Sequence, residues 1–250
     1  MTFPVQNFKV RLANARMLSP YVRELTFEKE DGGPFEFEAG QWVNVHIAGE
    51  PGKPDDVTRA YSIASEPNGR NTFQLAVTKV EGGPGSTHLH AMREGDVLSC
   101  TGPQGLFVRR HDVPTLFVGT GTGVTPLRSM LKHALAQKKV EPLWLLFGVR
   151  REEDMLYQDE LSALAHEHPN VHVYYTLSQG SEAWMGRRGY VQTHVRGLWE
   201  EMAKVGEAHG ATDKPHVYIC GLQKMVTSVR EVLRKEMELP RQLVHSERYD

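Results

Sequence analysis

The chain has 250 residues, 40% of them hydrophobic, with 29 Lys and Arg against 31 Asp and Glu for a formal charge of −2. That length and apolar content suit one large domain or two modest ones with real cores, and the charge balance removes the electrostatic ground for a nucleic-acid binder. Two cysteines, Cys100 and Cys220, are too few for a cysteine-ligated iron–sulfur cluster or a structural zinc. No apolar run reaches bilayer-spanning length, and Met1-Thr2-Phe3-Pro4-Val5 opens no basic-then-apolar secretory pattern, so a cytoplasmic protein with reduced thiols and no membrane contact is expected.

To about residue 110, short alternating or β-branched segments are broken by turn residues. Strands are expected near Phe8–Ala13, Val22–Glu28, Gln41–Ile47, Arg59–Ser65, Phe73–Val80 and Val97–Thr101, with turns at Asp31-Gly32-Gly33-Pro34, Gly49-Glu50-Pro51-Gly52-Lys53-Pro54 and Pro67-Asn68-Gly69. This spacing predicts a small closed, six-stranded antiparallel barrel. Within it, Arg59-Ala60-Tyr61-Ser62-Ile63-Ala64-Ser65 would turn Arg59, Tyr61, Ile63 and Ser65 to one side. A guanidinium for a pyrophosphate, a phenol face for a flat ring and a small hydroxyl are the chemistry of a flavin dinucleotide site. On its residues alone the stretch also reads as an ordinary strand with a tyrosine in the core. Gly82-Gly83-Pro84-Gly85-Ser86-Thr87 then leads into a short helix at His88–Met92. Free backbone N–H groups there suit a phosphate, and a plain hairpin exit with a Ser/Thr N-cap fits the same residues.

Beyond Arg109-Arg110-His111-Asp112-Val113-Pro114 the periodicity changes. A buried strand Leu116–Val118 runs into Gly119-Thr120-Gly121-Thr122-Gly123-Val124-Thr125-Pro126, with Thr125 as N-cap and Pro126 as first helical residue, and Leu127, Met130, Leu131, Ala134 and Leu135 fall on one helix face. Strands at Leu143–Phe147, Val171–Leu177 and Val217–Cys220 alternate with helices at Tyr157–His166, Tyr190–Met202 and Leu222–Met237, and Gln242–Ser246 is extended. Alternation of this kind predicts an α/β doubly wound parallel sheet. The expected domains are therefore 1–111, the barrel, and 112–250, the α/β domain. In such sheets ligands lie outside the carboxyl ends of strands. Every candidate group of this half is placed there: the loop after Val118, Gly148-Val149-Arg150-Arg151 after Phe147, Ser178 after Leu177, and Cys220-Gly221 after Ile219. A dinucleotide bound across one edge is the expectation.

The glycine loop reads G-x-G-x-G-x-x-P and, with Val124, lacks the third glycine of G-x-G-x-x-G. Its short steps still let backbone N–H groups approach a pyrophosphate beside a helix N-terminus. Cys220 reads either as a core thiol or as the border of a reaction centre, the following glycine allowing a ring close to the backbone. His166-Glu167-His168 with His172 is not read as a metal site. Its first two histidines are two residues apart at a helix end, they do not share a face, and no H-E-x-x-H occurs.

Taken in order, these motifs resemble the ferredoxin–NADP⁺ reductase family, in its plant-type fold as found in bacterial ferredoxin/flavodoxin reductases. Arg59-Ala60-Tyr61-Ser62 is similar to the family's R-x-Y-S flavin motif and Gly83-Pro84-Gly85-Ser86-Thr87 to its flavin-phosphate loop. Gly119-Thr120-Gly121-Thr122-Gly123-Val124-Thr125-Pro126 resembles the nicotinamide-dinucleotide loop, Cys220-Gly221 the C-G motif, and the ending Glu247-Arg248-Tyr249-Asp250 the terminal E-x-aromatic. The resemblance implies an FAD-binding barrel, an NAD(P)H-binding α/β domain and a C-terminal segment that returns to the flavin. It further implies hydride transfer between NADP(H), with NAD possible, and FAD, then one-electron exchange with ferredoxin or flavodoxin by a monomeric enzyme. Arg59 would pair with the flavin pyrophosphate, Tyr61 stack on the ring, and Ser62 bond near N5. Cys220 would place the nicotinamide, Glu247 balance protons and charge, and Tyr249 gate the ring face.

One departure concerns the coenzyme. NADPH-using members hold the 2′-phosphate with serine followed by arginine after the third nucleotide-domain strand, whereas here Gln179 follows Ser178 and Glu182 adds negative charge. Arg150, Arg151, Arg187 and Arg188 are the compensating guanidiniums, while Gly186-Arg187-Arg188-Gly189-Tyr190-Val191 also looks like loops of NADH-using oxygenase reductases. The rival readings are such an NADH-dependent reductase working through a separate ferredoxin, and a non-catalytic flavin or nucleotide sensor. Asp250, one residue past the aromatic, is expected to affect how the aromatic moves.

Overall fold

The computed structural model describes residues 3–47 and 57–249. The second predicted turn and Asp250 lie outside the described residues. The chain divides into two compact units, one of residues 1–109 with 128–133, the other of residues 110–127 and 134–250.

In the first unit, β1 (Gln6–Ser19), β2 (Val22–Lys29), β3 (Trp42–Ile47), β4 (Val57–Ser62), β5 (Thr72–Thr78) and β6 (Val97–Gln104) form one antiparallel sheet in the order β4-β3-β6-β1-β2-β5. Alternation decides its faces. Phe8, Val10 and Leu12 of β1 and Leu25 and Phe27 of β2 point inward, while Lys9 and Arg11 point out. The Phe35 ring lies tilted 4.7 Å from Phe73 and 5.3 Å from Phe37, and each such buried ring contributes roughly 2–3 kcal/mol by transfer from water. The sheet curls until its two edges touch, but the expected barrel closes at one point only. There Ile63 bridges Leu75 and Ala64 N donates to Gln74 O at 2.8 Å. The pairing of β4 with the β3 segment runs one step past Ser62, through Ile63 N donating to Gln41 O at 2.9 Å, so it is Ile63 and the residue after it that reach β5.

The helix expected at His88–Met92 is α1 (Pro84–Ala91). It begins earlier because Gly83 is the N-cap and Pro84, with φ already set for a helix, is the first helical residue. Arg23 Nη1 donates to Leu89 O at 3.1 Å and to His90 O at 2.6 Å, satisfying carbonyls at the helix's other end.

The second unit is a parallel sheet of β7 (Thr115–Thr120), β8 (Leu143–Val149), β9 (Val171–Leu177), β10 (Arg187–Arg188), β11 (His216–Leu222) and β12 (Val244–Tyr249), in the order β10-β9-β8-β7-β11-β12. Its helices are α3 (Gln158–Glu167), α4 (Val195–Ala208), α5 (Gln223–Glu231) and the two ends of α2 (Val124–Ala136), whose residues 128–133 belong to the first unit. Buried on both faces, Leu143 to Phe147 form an unbroken apolar run. Four expectations shift. Helical bonding starts at a 3₁₀ turn, Gly121–Gly123, so Thr125 is inside the helix rather than its N-cap and donates from Oγ1 to Thr122 O at 2.8 Å. Pro126 is correspondingly the third residue of α2, not the first. The helix expected from Tyr190 is a 3₁₀ turn, Val191–Thr193, followed by α4, and the one expected to Met237 loosens into a π turn at Val232–Glu236.

Candidate functional site

The residues expected to carry the chemistry fall into two groups, one in each unit. In the first, β4 registers Arg59 opposite Val45, Ala60 opposite Asn44, Tyr61 opposite Val43 and Ser62 opposite Trp42. Of the four residues expected to share a face, only Arg59 and Tyr61 remain available. Ile63 and Ser65 are buried, and Ser65 Oγ accepts the Gln74 amide at 3.2 Å. Tyr61 is half-buried against the barrel core, and that burial raises its phenol above the ordinary value, an effect Arg59 opposes. Gly85 explains the next motif. A Cβ there would lie 2.9 Å from Arg59 Cγ and 3.4 Å from Tyr61 Oη, so glycine lets the start of α1 approach both side chains. The amides of Gly85 and Ser86, in the first helical turn, have no intrahelical acceptor and so offer donors to an anion. Ser86 Oγ itself is committed, taking the Val80 amide at 3.0 Å, whereas Thr87 is exposed. The Arg59 guanidinium, which also donates to Thr58 O at 2.9 Å, the phenol face and these first-turn amides meet here, a set of groups that fits a flavin dinucleotide.

Sequence reasoning missed Arg128. It is 2% exposed, and its Nη1 donates to Ala64 O at 2.6 Å and Gln74 Oε1 at 3.1 Å, while Ser129 Oγ donates to Ser65 O at 2.6 Å. These bonds fix the backbone just beyond Ser62. The only signal was a cation inside an otherwise apolar helix stretch, Leu127-Arg128-Ser129-Met130-Leu131.

In the second unit the strand order reverses between β7 and β11, the place where such sheets open a crevice at the carboxyl ends. Glycine sets its geometry. Gly121 has φ +53, and a Cβ on Gly123 would stand 2.2 Å from Cys220 O, so the loop after β7 lies directly on the end of β11. Gly221, at φ +153, would drive a Cβ to 2.5 Å from Thr120 Oγ1. That Thr120 hydroxyl is buried without a hydrogen-bond partner among the described residues. An orphaned hydroxyl between two glycine approaches fits a ligand's polar group better than a packed interior. Gly119 packs on α2, a Cβ there meeting Leu127 Cδ1 at 2.9 Å, and Thr122 is half-buried while Pro126 is buried.

Parallel pairing of β11 with β12 sets Cys220 opposite Glu247 and Leu222 opposite Tyr249. Cys220 is fully buried, and burial pushes its thiol far above the ordinary value. The Glu247 carboxylate pushes the same way, against the hydrogen bond from the Tyr249 side chain. The thiol therefore stays protonated, which suits a neutral spacer rather than a nucleophile.

Farther along the same edge, the segment after β9 is closed on itself. Ser178 N donates to Val149 O at 3.1 Å and Gln179 N to Arg150 O at 2.8 Å. Arg188, read as a candidate phosphate ligand, instead donates to Gly180 O (3.0 Å), Ser181 O (2.6 Å), Glu182 O (3.4 Å) and Trp184 O (2.9 Å). Arg187 places its guanidinium over the Tyr174 ring at 5.0 Å. Arg150 and Arg151 are exposed, the latter 3.8 Å from Glu153. Among the described residues no group of three His, Cys, Asp or Glu side chains is placed to hold a metal ion, and no helix is long and apolar enough to cross a membrane.

Comparison with known proteins bears on this arrangement. Residues 9–108 match the oxidoreductase FAD-binding domain and residues 117–231 the oxidoreductase NAD-binding domain. The chain is 53% identical over 245 residues to ferredoxin–NADP reductase B of Sorangium cellulosum, covering 97% of this chain and 98% of that protein. It belongs to the ferredoxin–NADP reductase family. A toluate 1,2-dioxygenase electron transfer component of Pseudomonas putida is 29% identical over 92% of this chain, which spans 64% of that protein's length. The fold is shared with the ferredoxin–NADP⁺ reductase of Plasmodium falciparum in complex with 2′P-AMP, at a TM-score of 0.79 and 23% identity over 98% of this chain and 97% of that one. The family brings an FAD-binding and an NAD-binding domain to this oxidoreductase.

Proposed function

We propose that this reductase family member transfers hydride between NADP(H) and FAD and exchanges single electrons with a ferredoxin or flavodoxin. The observation that carries the reading is the meeting, at one reversal of strand order, of Gly123 with Cys220 and of Cys220 with Glu247 and Tyr249. The 53% identical relative named for NADP and ferredoxin supports it. Bound flavin would supply the step between two-electron and one-electron chemistry. In this reading Arg59 and the amides at the start of α1 bind the flavin's phosphates, Tyr61 covers one ring face, and Ser62 lies at the end of the same strand to bond near N5. Gly119, Thr120, Gly121, Thr122 and Gly123 line the coenzyme pyrophosphate, with Pro126 behind them. Cys220 and Gly221 leave room for a ring against backbone, because the protonated thiol is small and uncharged. Glu247, one strand away, holds the negative charge and proton-exchange capacity of this end of the sheet, and Tyr249 closes it. Ring spacing matters, since a misplacement of about 1 Å costs on the order of a hundredfold in rate.

A second reading, an NADH-dependent reductase feeding an oxygenase through a separate ferredoxin, draws on the use of Arg188 within its own loop and on the likeness to the dioxygenase component. Anaerobic stopped-flow mixing of the FAD-loaded protein with NADPH and with NADH decides between them. Faster flavin bleaching by NADPH is the expected result. Faster bleaching by NADH would promote the second reading, and a flavin that neither nucleotide bleaches would leave a sensor.

A further inference from the structure

At the outer end of the parallel sheet the protein already holds an anion of its own. The 3₁₀ turn Glu152–Asp154 follows β8, anchored by Asp154 Oδ2 accepting the Arg151 amide at 3.1 Å and by Asp154 N donating to Arg151 O at 3.1 Å. From it, one carboxylate oxygen, Glu152 Oε1, accepts both the backbone N–H of Ser181 at 3.0 Å and its hydroxyl at 2.6 Å. An N–H and an O–H converging from one residue on one oxygen is how a backbone loop receives a phosphate or carboxylate oxygen. The donors are preorganised, because Arg188 gathers the carbonyls of Gly180, Ser181, Glu182 and Trp184, and Trp184 Nε1 donates to Arg187 O at 2.8 Å. The Arg188 charge acts on the Glu152 carboxyl, which is held below its ordinary range chiefly by the Ser181 hydroxyl.

A dinucleotide whose pyrophosphate lies at the end of β7 and whose nicotinamide half turns toward Cys220 extends its adenosine half over β8 and β9. Two strand spacings, roughly 10 Å, bring the adenosine ribose to the segments after those strands. At that place an acidic side chain favours a ribose hydroxyl, and clustered donors with a cation favour a 2′-phosphate. Here both are present, and the acid occupies the donors.

We propose that Glu152 is an internal occupant of the 2′-phosphate position, so that NADPH must displace its carboxylate from Ser181 whereas NADH need not, and that this residue limits the margin by which NADPH is preferred over NADH. The proposal rests on the dinucleotide reading above and deepens it. Its test is binding of adenosine 2′,5′-bisphosphate and of AMP to the FAD-loaded protein by calorimetry, for the native chain, Glu152→Ala and Glu152→Gln. Glutamine keeps an acceptor for Ser181 and guards against collapse of the loop. Both variants should tighten the bisphosphate about tenfold, as expected for removing a like charge at a partly solvated site, and leave AMP within about twofold. Steady-state kcat/KM should move toward NADPH by a similar factor. Equal changes for the two ligands, or a bisphosphate bound no more tightly by either variant, overturn the proposal and leave the reductase reading untouched. Failure of AMP to bind any of the three proteins would overturn the dinucleotide reading and this proposal with it.

Discussion

The two ends of the carboxyl edge of the parallel sheet are built by opposite means. Between β7 and β11 the chain is brought together by removing side chains, and Gly123 and Gly221 let backbone lie on backbone around an unpaired Thr120 hydroxyl. Beyond β9 it is brought together by adding them. Arg188 collects carbonyls, Ser181 donates twice to Glu152, Thr176 Oγ1 donates to Gly189 O at 2.9 Å, and Trp184 fills the space beside Gly186. The first construction leaves polar demand for a ligand to meet, while the second meets its own demand in advance. Steric construction leaves little room for substitution, whereas hydrogen-bonded construction can be tuned residue by residue.

The largest effect should come from breaking the steric end. Gly123→Ala puts a methyl 2.2 Å from Cys220 O, a backbone atom that cannot swing away. A loss on the order of 3 kcal/mol is expected in urea unfolding, from overpacking against a fixed neighbour. Gly121→Ala is the control, since its Cβ meets nothing within 4 Å and only its φ of +53 opposes the change. It should cost about 1 kcal/mol. Equal losses for the two would mean that close approach is not what shapes this end.

The hydrogen-bonded end should yield less. Arg188→Ala removes donors from several carbonyls at an exposed loop, for which about 1 kcal/mol of global stability is expected. Its clearer signature is local, with amide exchange across residues 180–186 becoming fast while β8 and β9 stay protected. Unchanged exchange in the loop would show that Trp184 and the Ser181–Glu152 bonds hold it without Arg188.

The same contrast governs what could be read from the amino acids. The steric end was legible because glycines at a strand end, a proline and a Cys-Gly pair are local signals, and β8 because five apolar residues in a row admit little else. The polar end was not. β10 is two arginines long and carries no periodicity, so Arg187 and Arg188 read as free cations until the sheet register and the loop carbonyls assigned them partners. Arg128 was hidden for a related reason. A hydrophobic period counts an arginine as solvent-facing, and only tertiary structure reveals that its acceptors are carbonyls 54 to 64 residues earlier. Thr125 and Pro126 carried true capping signals that were overridden when helical bonding began at Gly121.

The change with the smallest expected effect on stability sharpens the comparison most, because its two readouts move in opposite directions. Thr120→Val keeps the shape of the side chain and deletes a buried hydroxyl that has no hydrogen-bond partner among the described residues. Where a hydroxyl serves the fold its loss is destabilising, but an unpartnered one carries a desolvation cost, so the ligand-free variant should be as stable as the native chain or more stable by up to about 1 kcal/mol. If the hydroxyl instead awaits a ligand, the same variant should bind AMP or NADP⁺ about tenfold more weakly, the equivalent of one lost hydrogen bond in a dry site. No equivalent exists beyond β9, where Ser181→Ala breaks a bond already made to Glu152 and should lower stability before any ligand is added. A Thr120→Val protein that lost stability and kept its affinity would place the hydroxyl with the fold and erase the distinction between the two ends.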